Sequence, residues 1–331
     1  MRKKTDFPPL CFNSPFADFA RDYIEQHRAV GKKYSVDAVY LEQFDKYCVD
    51  SNIAYISQVP ELFDEWRQKR PHETDTSHNI RNRILRKFFK FLHNYDIAVP
   101  STFHPLPRPD KSFVPYIFTR NEIVKLLTAA TKVKRNDHNP LAPLTIPLIF
   151  KTLYCCGLRV SEVLQLRNED VDLQCGTLQI LDSKGGKDRL VPLSESLLQL
   201  FLEYSANEKI RAFGSEYFFP SVDGGRYASC TMYGRFREFL WKAGIPHGGR
   251  GSGPRLHDLR HTFAVHTLDN WARQGKDLYV CLPILSVYLG HKNLLSTQKY
   301  LRLTPESYHS MLNSYGEHFG DVFPEVRYEE V

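Results

Sequence analysis

The chain has 331 residues, enough for about two domains and for a sizeable core that needs no disulfide staples. Hydrophobic residues at 42% and charged residues at 25% sit at the globular average, which excludes a disordered or fibrous chain. Lys and Arg number 44 against 38 Asp and Glu, a net charge of +6, an excess that permits a polyanionic partner without requiring one.

The seven cysteines (11, 48, 155, 156, 175, 230 and 281) form neither a CxxC pair nor a Cys/His metal spacing, and read as reduced thiols. Asp6, Pro8, Pro9 and Asn13 interrupt any apolar leader after Met1, so a cytoplasmic protein without signal peptide is expected. The most apolar run, Leu141 to Phe150, is about half a membrane span and carries Pro143 and Pro147.

In chain order, helical periodicity occupies Pro15 to Val30, Ser35 to Asp50, Pro60 to Arg70 and Ser77 to Tyr95, the pattern of a small helical bundle. In the last of these, Arg83, Arg86, Lys87 and Lys90 fall within an arc of about 100°, opposite Ile84, Leu85, Phe88, Phe91 and Leu92. Such a stripe is either a solvated face or a helix laid along a phosphate backbone. Residues 1–120 carry a net +4, much of it from this helix. Pro100, Pro105, Pro107, Pro109 and Pro115 then bar regular helix and mark a linker.

Beyond it, Thr119 and Glu122 spell a capping box ahead of Ile123, Leu126 and Leu127. Helical stretches follow near Ile146 to Cys156 and Ser161 to Leu166. Thr177 to Leu181 and Arg189 to Leu193 alternate like two strands around a Gly185-Gly186 turn. The expected fold class is mainly α with a small antiparallel β hairpin or sheet. Its boundaries are a helical domain at 1–100, a linker at 101–117, an α+β domain at 118–308 and a tail at 309–331.

Four motifs in the second half carry chemistry-bearing side chains. Gly157-Leu158-Arg159-Val160-Ser161-Glu162 puts an arginine where a helix begins and amides already favour anions. Lys184 lies at the hairpin turn. His257 and Arg260, three apart, share one helix face, while Leu259 and Phe263 can face a core. Gly290 can close a helix with a left-handed turn, leaving His291 just past its end and Tyr300 near the middle of the next. Taken singly each is weak: Arg159 reads equally as a helix cap or the partner of Glu162, Lys184 as a soluble turn residue, His257 and Arg260 as a surface pair. Asp258 and His261 read as capping or core-satisfying groups, and Tyr300 as a packed or surface aromatic.

Taken together, GLRVSE, SKGGKDRLVPL, HDLRHTFA and LGH with a tyrosine nine residues on resemble the tyrosine recombinase (phage integrase) family over roughly Phe118 to Tyr308. The N-terminal bundle is similar to that family's core-binding domain. The resemblance implies Arg159, Lys184, His257, Arg260 and His291 as a cationic active-site set, Tyr300 as the nucleophile and Glu162 as a supporting acid. It also implies double-stranded DNA as substrate, cleavage and rejoining through a 3′-phosphotyrosyl link without metal or other cofactor, and a homotetramer on two paired sites. Sister recombinases or directionality factors are possible further partners, and no membrane is involved. Arg83, Arg86, Lys87 and Lys90 become DNA-contacting candidates. The tail, whose residues 321–331 carry a net −3, is a candidate for docking on a neighbouring protomer. The alternatives are a type IB-like topoisomerase and a catalytically idle DNA-binding protein on the same fold.

Overall fold

A computed structural model describes residues 9–53, 55, 59–97, 114–135, 138–181, 188–249 and 253–301. The proline-rich segment, Lys184 with its turn and the C-terminal tail lie outside the described residues. The chain divides into two compact units, Met1–Phe113 and Val114–Val331.

In the first unit, helices α1 (Ala17–Ala29), α2 (Ser35–Asp50), α3 (Val59–Trp66) and α4 (Asp75–Leu92) enclose an aromatic core of Phe16, Phe44, Phe63, Phe88 and Phe89. The α4 helix starts where Thr74 accepts a hydrogen bond from the Ser77 amide, satisfying one of the first-turn donors. Its Ile84, Leu85, Phe88, Phe89 and Leu92 are buried. Phe89 takes the fully buried place that the sequence pattern gives to Phe91, which is only half-buried. Arg83, Arg86, Lys87 and Lys90 are all exposed. Arg81, on the same helix, behaves differently. It is fully buried, bidentate to Glu73 at 2.8 and 2.7 Å, and donates to the carbonyls of Trp66 and Gln68. That ion pair ties the loop after α3 to α4, so this arginine belongs to the fold.

In the second unit, α5 (Arg120–Thr131) begins at the capping box read from the sequence, with Thr119 accepting from the Glu122 amide at 3.2 Å and Glu122 from the Thr119 amide at 2.8 Å. The apolar run becomes α6 (Ala142–Cys155), buried on several sides and packed against α5 and later helices. After α7 (Val160–Leu164), strands β1 (Val171–Asp172), β2 (Thr177–Ile180) and β3 (Arg189–Pro192) form an antiparallel sheet in the order β1-β2-β3. Leu178 pairs with Val191, and both are buried, whereas Gln179 opposite Leu190 faces solvent. The two-stranded expectation thus gains β1, whose two residues are too short to show any alternation.

Helices α8 (Glu195–Ala206), α9 (Glu208–Phe213), α10 (Ser229–Lys242), α11 (Asp258–Arg273), α12 (Leu278–Leu289) and α13 (Leu295–Gln298) complete the described chain. The fold class is therefore mainly helical with one small antiparallel sheet, as expected. One local expectation is corrected. Tyr300 is not near the middle of a helix: α13 spans four residues, and Tyr300 lies two residues past it in a turn, packed against α11 and α12 residues Val265, Leu268, Leu285 and Leu289. Among the described residues no helix is long and apolar enough to cross a membrane.

Candidate active site

The site is organised around the C-terminal end of α12. There Gly290 takes a left-handed conformation (φ 66°), its amide reaching Val287 O at 2.9 Å while the His291 amide reaches Ser286 O at 3.0 Å. This is the Schellman ending, and it leaves the last carbonyls of the helix without intrahelical partners. Three arginines fill that need on three consecutive residues. Arg189 Nε donates to Tyr288 O at 2.8 Å, Arg260 Nη2 to Leu289 O at 2.5 Å and Arg159 Nη2 to Gly290 O at 3.2 Å. Cations at a helix C-terminus are also favoured by its partial negative charge.

The three guanidiniums come from distant parts of the chain: the start of α7, the first residue of β3 and the first turn of α11. Glu162, in the first turn of α7, fixes two of them. Its carboxylate accepts from Arg159 Nη1 at 2.6 Å, from Arg189 at 3.1 and 2.8 Å and from the Arg159 amide at 2.9 Å. Burial would raise the Glu162 carboxyl, but the hydrogen bonds of Arg189 and of the Arg159 amide, with both positive charges, outweigh it and hold it below the usual carboxylate range. Arg260, 2% exposed, is held on the other side by Gly157 O at 2.8 Å. Its pKa falls to about 10 through burial first and the charge of Arg159 second, so it stays cationic at neutral pH. Three buried or half-buried cations thus face one carboxylate, a local excess that favours an anion.

Tyr300, 4% exposed, packs beside this cluster with its hydroxyl 2.9 Å from His261 Nδ1. Burial raises the phenol's pKa, while the charges of Arg260 and Arg159 pull it back down. His291 stacks on the Tyr300 ring at 6.1 Å between centroids, and its Nδ1 is 2.7 Å from Thr297 Oγ1. Burial and then the charges of Arg260, Arg159 and Arg189 depress its imidazole to about 4, so it is neutral at pH 7. His257 is exposed, at the start of α11, with its ring 4.8 Å from that of His261. Arg159, Glu162, Arg260, His291 and Tyr300 therefore gather at one place, and His257 lies at its edge.

Residues 117–307, more than half of the chain, match the model of the phage integrase family. The chain belongs to this family of tyrosine recombinases. It is 32% identical over 302 residues to the integrase/recombinase y4rB of Sinorhizobium fredii, an alignment spanning 88% of this chain and 94% of that one. It is 33% identical over 240 residues to the tyrosine recombinase XerA of Thermococcus onnurineus, spanning 72% and 74% of the two chains. Among solved structures, the Tn1549 transposon integrase in complex with transposon right end DNA shares the fold, with a TM-score of 0.60 and 16% identity over 90% of this chain and 99% of the other.

Within this phage integrase family member, three contributors escape a reading of the sequence. Arg189 stands in the hairpin motif but is indistinguishable there from a strand residue; its bonds to Glu162 and Tyr288 cross 27 and 99 residues. His261 is one of two open readings next to Arg260, and its contact with Tyr300 spans 39 residues. Thr297, fully buried, lies between His291 and Tyr300 with nothing in the sequence to mark it, and its role shows only where its hydroxyl meets His291. Arg83, Arg86, Lys87 and Lys90 belong to the other compact unit, exposed along α4. Among the described residues no three His, Cys, Asp or Glu side chains are grouped to hold a metal ion.

Proposed function

We propose that the chain is a site-specific DNA recombinase that cuts and rejoins strands of double-stranded DNA through a 3′-phosphotyrosyl intermediate. The observation that carries this reading is the buried Tyr300 hydroxyl under the charges of Arg260 and Arg159, in a cluster whose three arginines outnumber their one carboxylate. In the reaction, Tyr300 Oη attacks the scissile phosphorus. The new O–P bond forms as the bond to the 5′-oxygen breaks, and the phenol proton leaves through His257. Lys184 delivers a proton to the departing 5′-oxygen, giving a free hydroxyl. Negative charge on the nonbridging oxygens is the main barrier, and preorganised donors answer it.

Arg159 and Arg260 each spend part of their five N–H groups on carbonyls or Glu162, which fixes their direction, and retain others for the phosphate. In the tautomer that serves this reaction the Thr297 hydroxyl donates to His291 Nδ1, 2.7 Å away, and the imidazole proton sits on Nε2, free to be donated to a phosphate oxygen. The phosphotyrosyl ester conserves the energy of the broken bond, so religation to a second strand needs neither nucleotide nor metal. Arg83, Arg86, Lys87 and Lys90 contact the phosphate backbone. Four protomers assemble on two paired sites, the C-terminal tail docks on a neighbour, and the functional boundaries are 1–100, 101–117, 118–308 and 309–331.

Nicked suicide duplexes built from the ends of the chain's own genetic element, incubated in EDTA, should trap a covalent adduct through a 3′-phosphate. Tyr300→Phe should abolish it. An adduct that survives Tyr300→Phe removes the nucleophile assignment, and absence of adduct on every candidate end favours a binding-only protein. Relaxation of arbitrary plasmid would point to a topoisomerase.

A further inference from the structure

Beside Tyr300 stands a histidine to which the proposed reaction gives no part. His261 follows Arg260 on α11, is half-buried, and brings Nδ1 within 2.9 Å of the Tyr300 hydroxyl, with ring centroids 5.5 Å apart. Tyr300 is thereby held at two points: His291 against its ring and His261 at its oxygen. We infer that His261 is a positioning residue for the nucleophile, its Nδ1 accepting the Tyr300 O–H and so fixing the direction in which the phenol oxygen offers its lone pairs. The inference rests on the reading of Tyr300 as nucleophile.

The direction of the bond follows from the chemistry of the two groups. Two neutral partners can pair as O–H···N or as N–H···O. A phenol is a far stronger acid than the N–H of a neutral imidazole, and an imidazole nitrogen is a better acceptor than a phenol oxygen, so O–H···N is the stronger pair. The opposite arrangement would occupy a lone pair of the attacking oxygen and blunt it. With the O–H aimed at Nδ1, the remaining lone pairs stay available for phosphorus.

A second possibility, that His261 is itself the base, conflicts with its surroundings. Burial first, and then the charges of His257, Arg260 and His291, depress its imidazole to about 3. A nitrogen so weakly basic orients a phenol but cannot hold its proton at neutral pH. His257, exposed and with its ring 4.8 Å away, is the better outlet to solvent. His261 therefore orients the phenol before attack, and the O–H turns from Nδ1 toward His257 to give up its proton as the O–P bond forms. Misplacing a reacting atom by about 1 Å can cost on the order of 10²-fold in rate, which sets the scale of the expected effect.

The test compares two polar replacements in the full-length protein. In His261→Asn the side-chain oxygen can occupy the place of Nδ1, whereas in His261→Gln the polar end reaches the place of Nε2 and leaves Nδ1 unreplaced. Single-turnover cleavage of the nicked suicide duplex and duplex affinity are measured for both, with Tyr300→Phe run alongside. The expected result is unchanged affinity, a rate within about fivefold of wild type for His261→Asn, and a loss of about 10- to 100-fold for His261→Gln. Equal rates for the two variants, whether both near wild type or both slow, overturn the inference, because only an acceptor at the Nδ1 position separates them. If Tyr300→Phe still forms the adduct, the nucleophile reading fails instead, and that outcome is independent of either histidine variant.

Discussion

Glu162 is the residue on which the site's geometry converges. A carboxylate 7% exposed is costly to keep charged unless its lone pairs are filled, and here two guanidiniums and a backbone amide fill them. Arg189 is the more buried of its two side-chain partners, at 7% against 19% for Arg159. Removing Arg189 leaves Glu162 short of a bidentate partner and Tyr288 O without its guanidinium. Arg189→Met should therefore destabilise the Val114–Val331 unit by about 3 kcal/mol, read from its urea transition, and should slow cleavage. A loss below about 1 kcal/mol would mean that Arg159 and solvent satisfy Glu162 unaided. Arg81 in the other unit makes the same point: a buried arginine on a basic helix can serve only the fold.

At the scale of elements, the decisive structure is the end of α12. Gly290 combines a φ of 66° with a close neighbour: a Cβ there would lie 2.9 Å from Arg189 Nη1. Gly244 has a similar φ, 69°, but open space around it. Gly290→Ala should thus cost about 1–2 kcal/mol from backbone strain, as Gly244→Ala does, and in addition displace Arg189 and reduce cleavage, which Gly244→Ala leaves intact. Equal cleavage by the two variants would show that Arg189 yields without consequence. These elements also show what a sequence can reveal. The capping box at Thr119, the Gly290 ending and the β2–β3 pairing were legible because each is decided within a few residues. The strand β1 was not, having only two residues, and the place of Tyr300 was misread because α13 stops after four. The functions of Arg189 and His261 were invisible for another reason: they exist only in contacts between segments tens of residues apart.

For the whole molecule, a net charge of +6 conceals an uneven distribution. The first unit displays Arg83, Arg86, Lys87 and Lys90 along one exposed face of α4, while in the second unit the arginines of the site are turned inward. Replacing the four α4 residues together should weaken duplex binding and reduce the slope of log affinity against log salt by up to about 3.6, at roughly 0.9 per lost phosphate contact. An unchanged slope returns the stripe to solvent. The triple capping of α12 has a bearing on how relatives of this chain are judged. Because Arg159 and Arg260 each brace a backbone carbonyl, a descendant that had stopped cutting DNA would still unravel without them. Intact arginines are therefore poor witnesses to a living enzyme, and the phenol of Tyr300, whose hydroxyl meets the His261 ring and not the end of α12, is the better one.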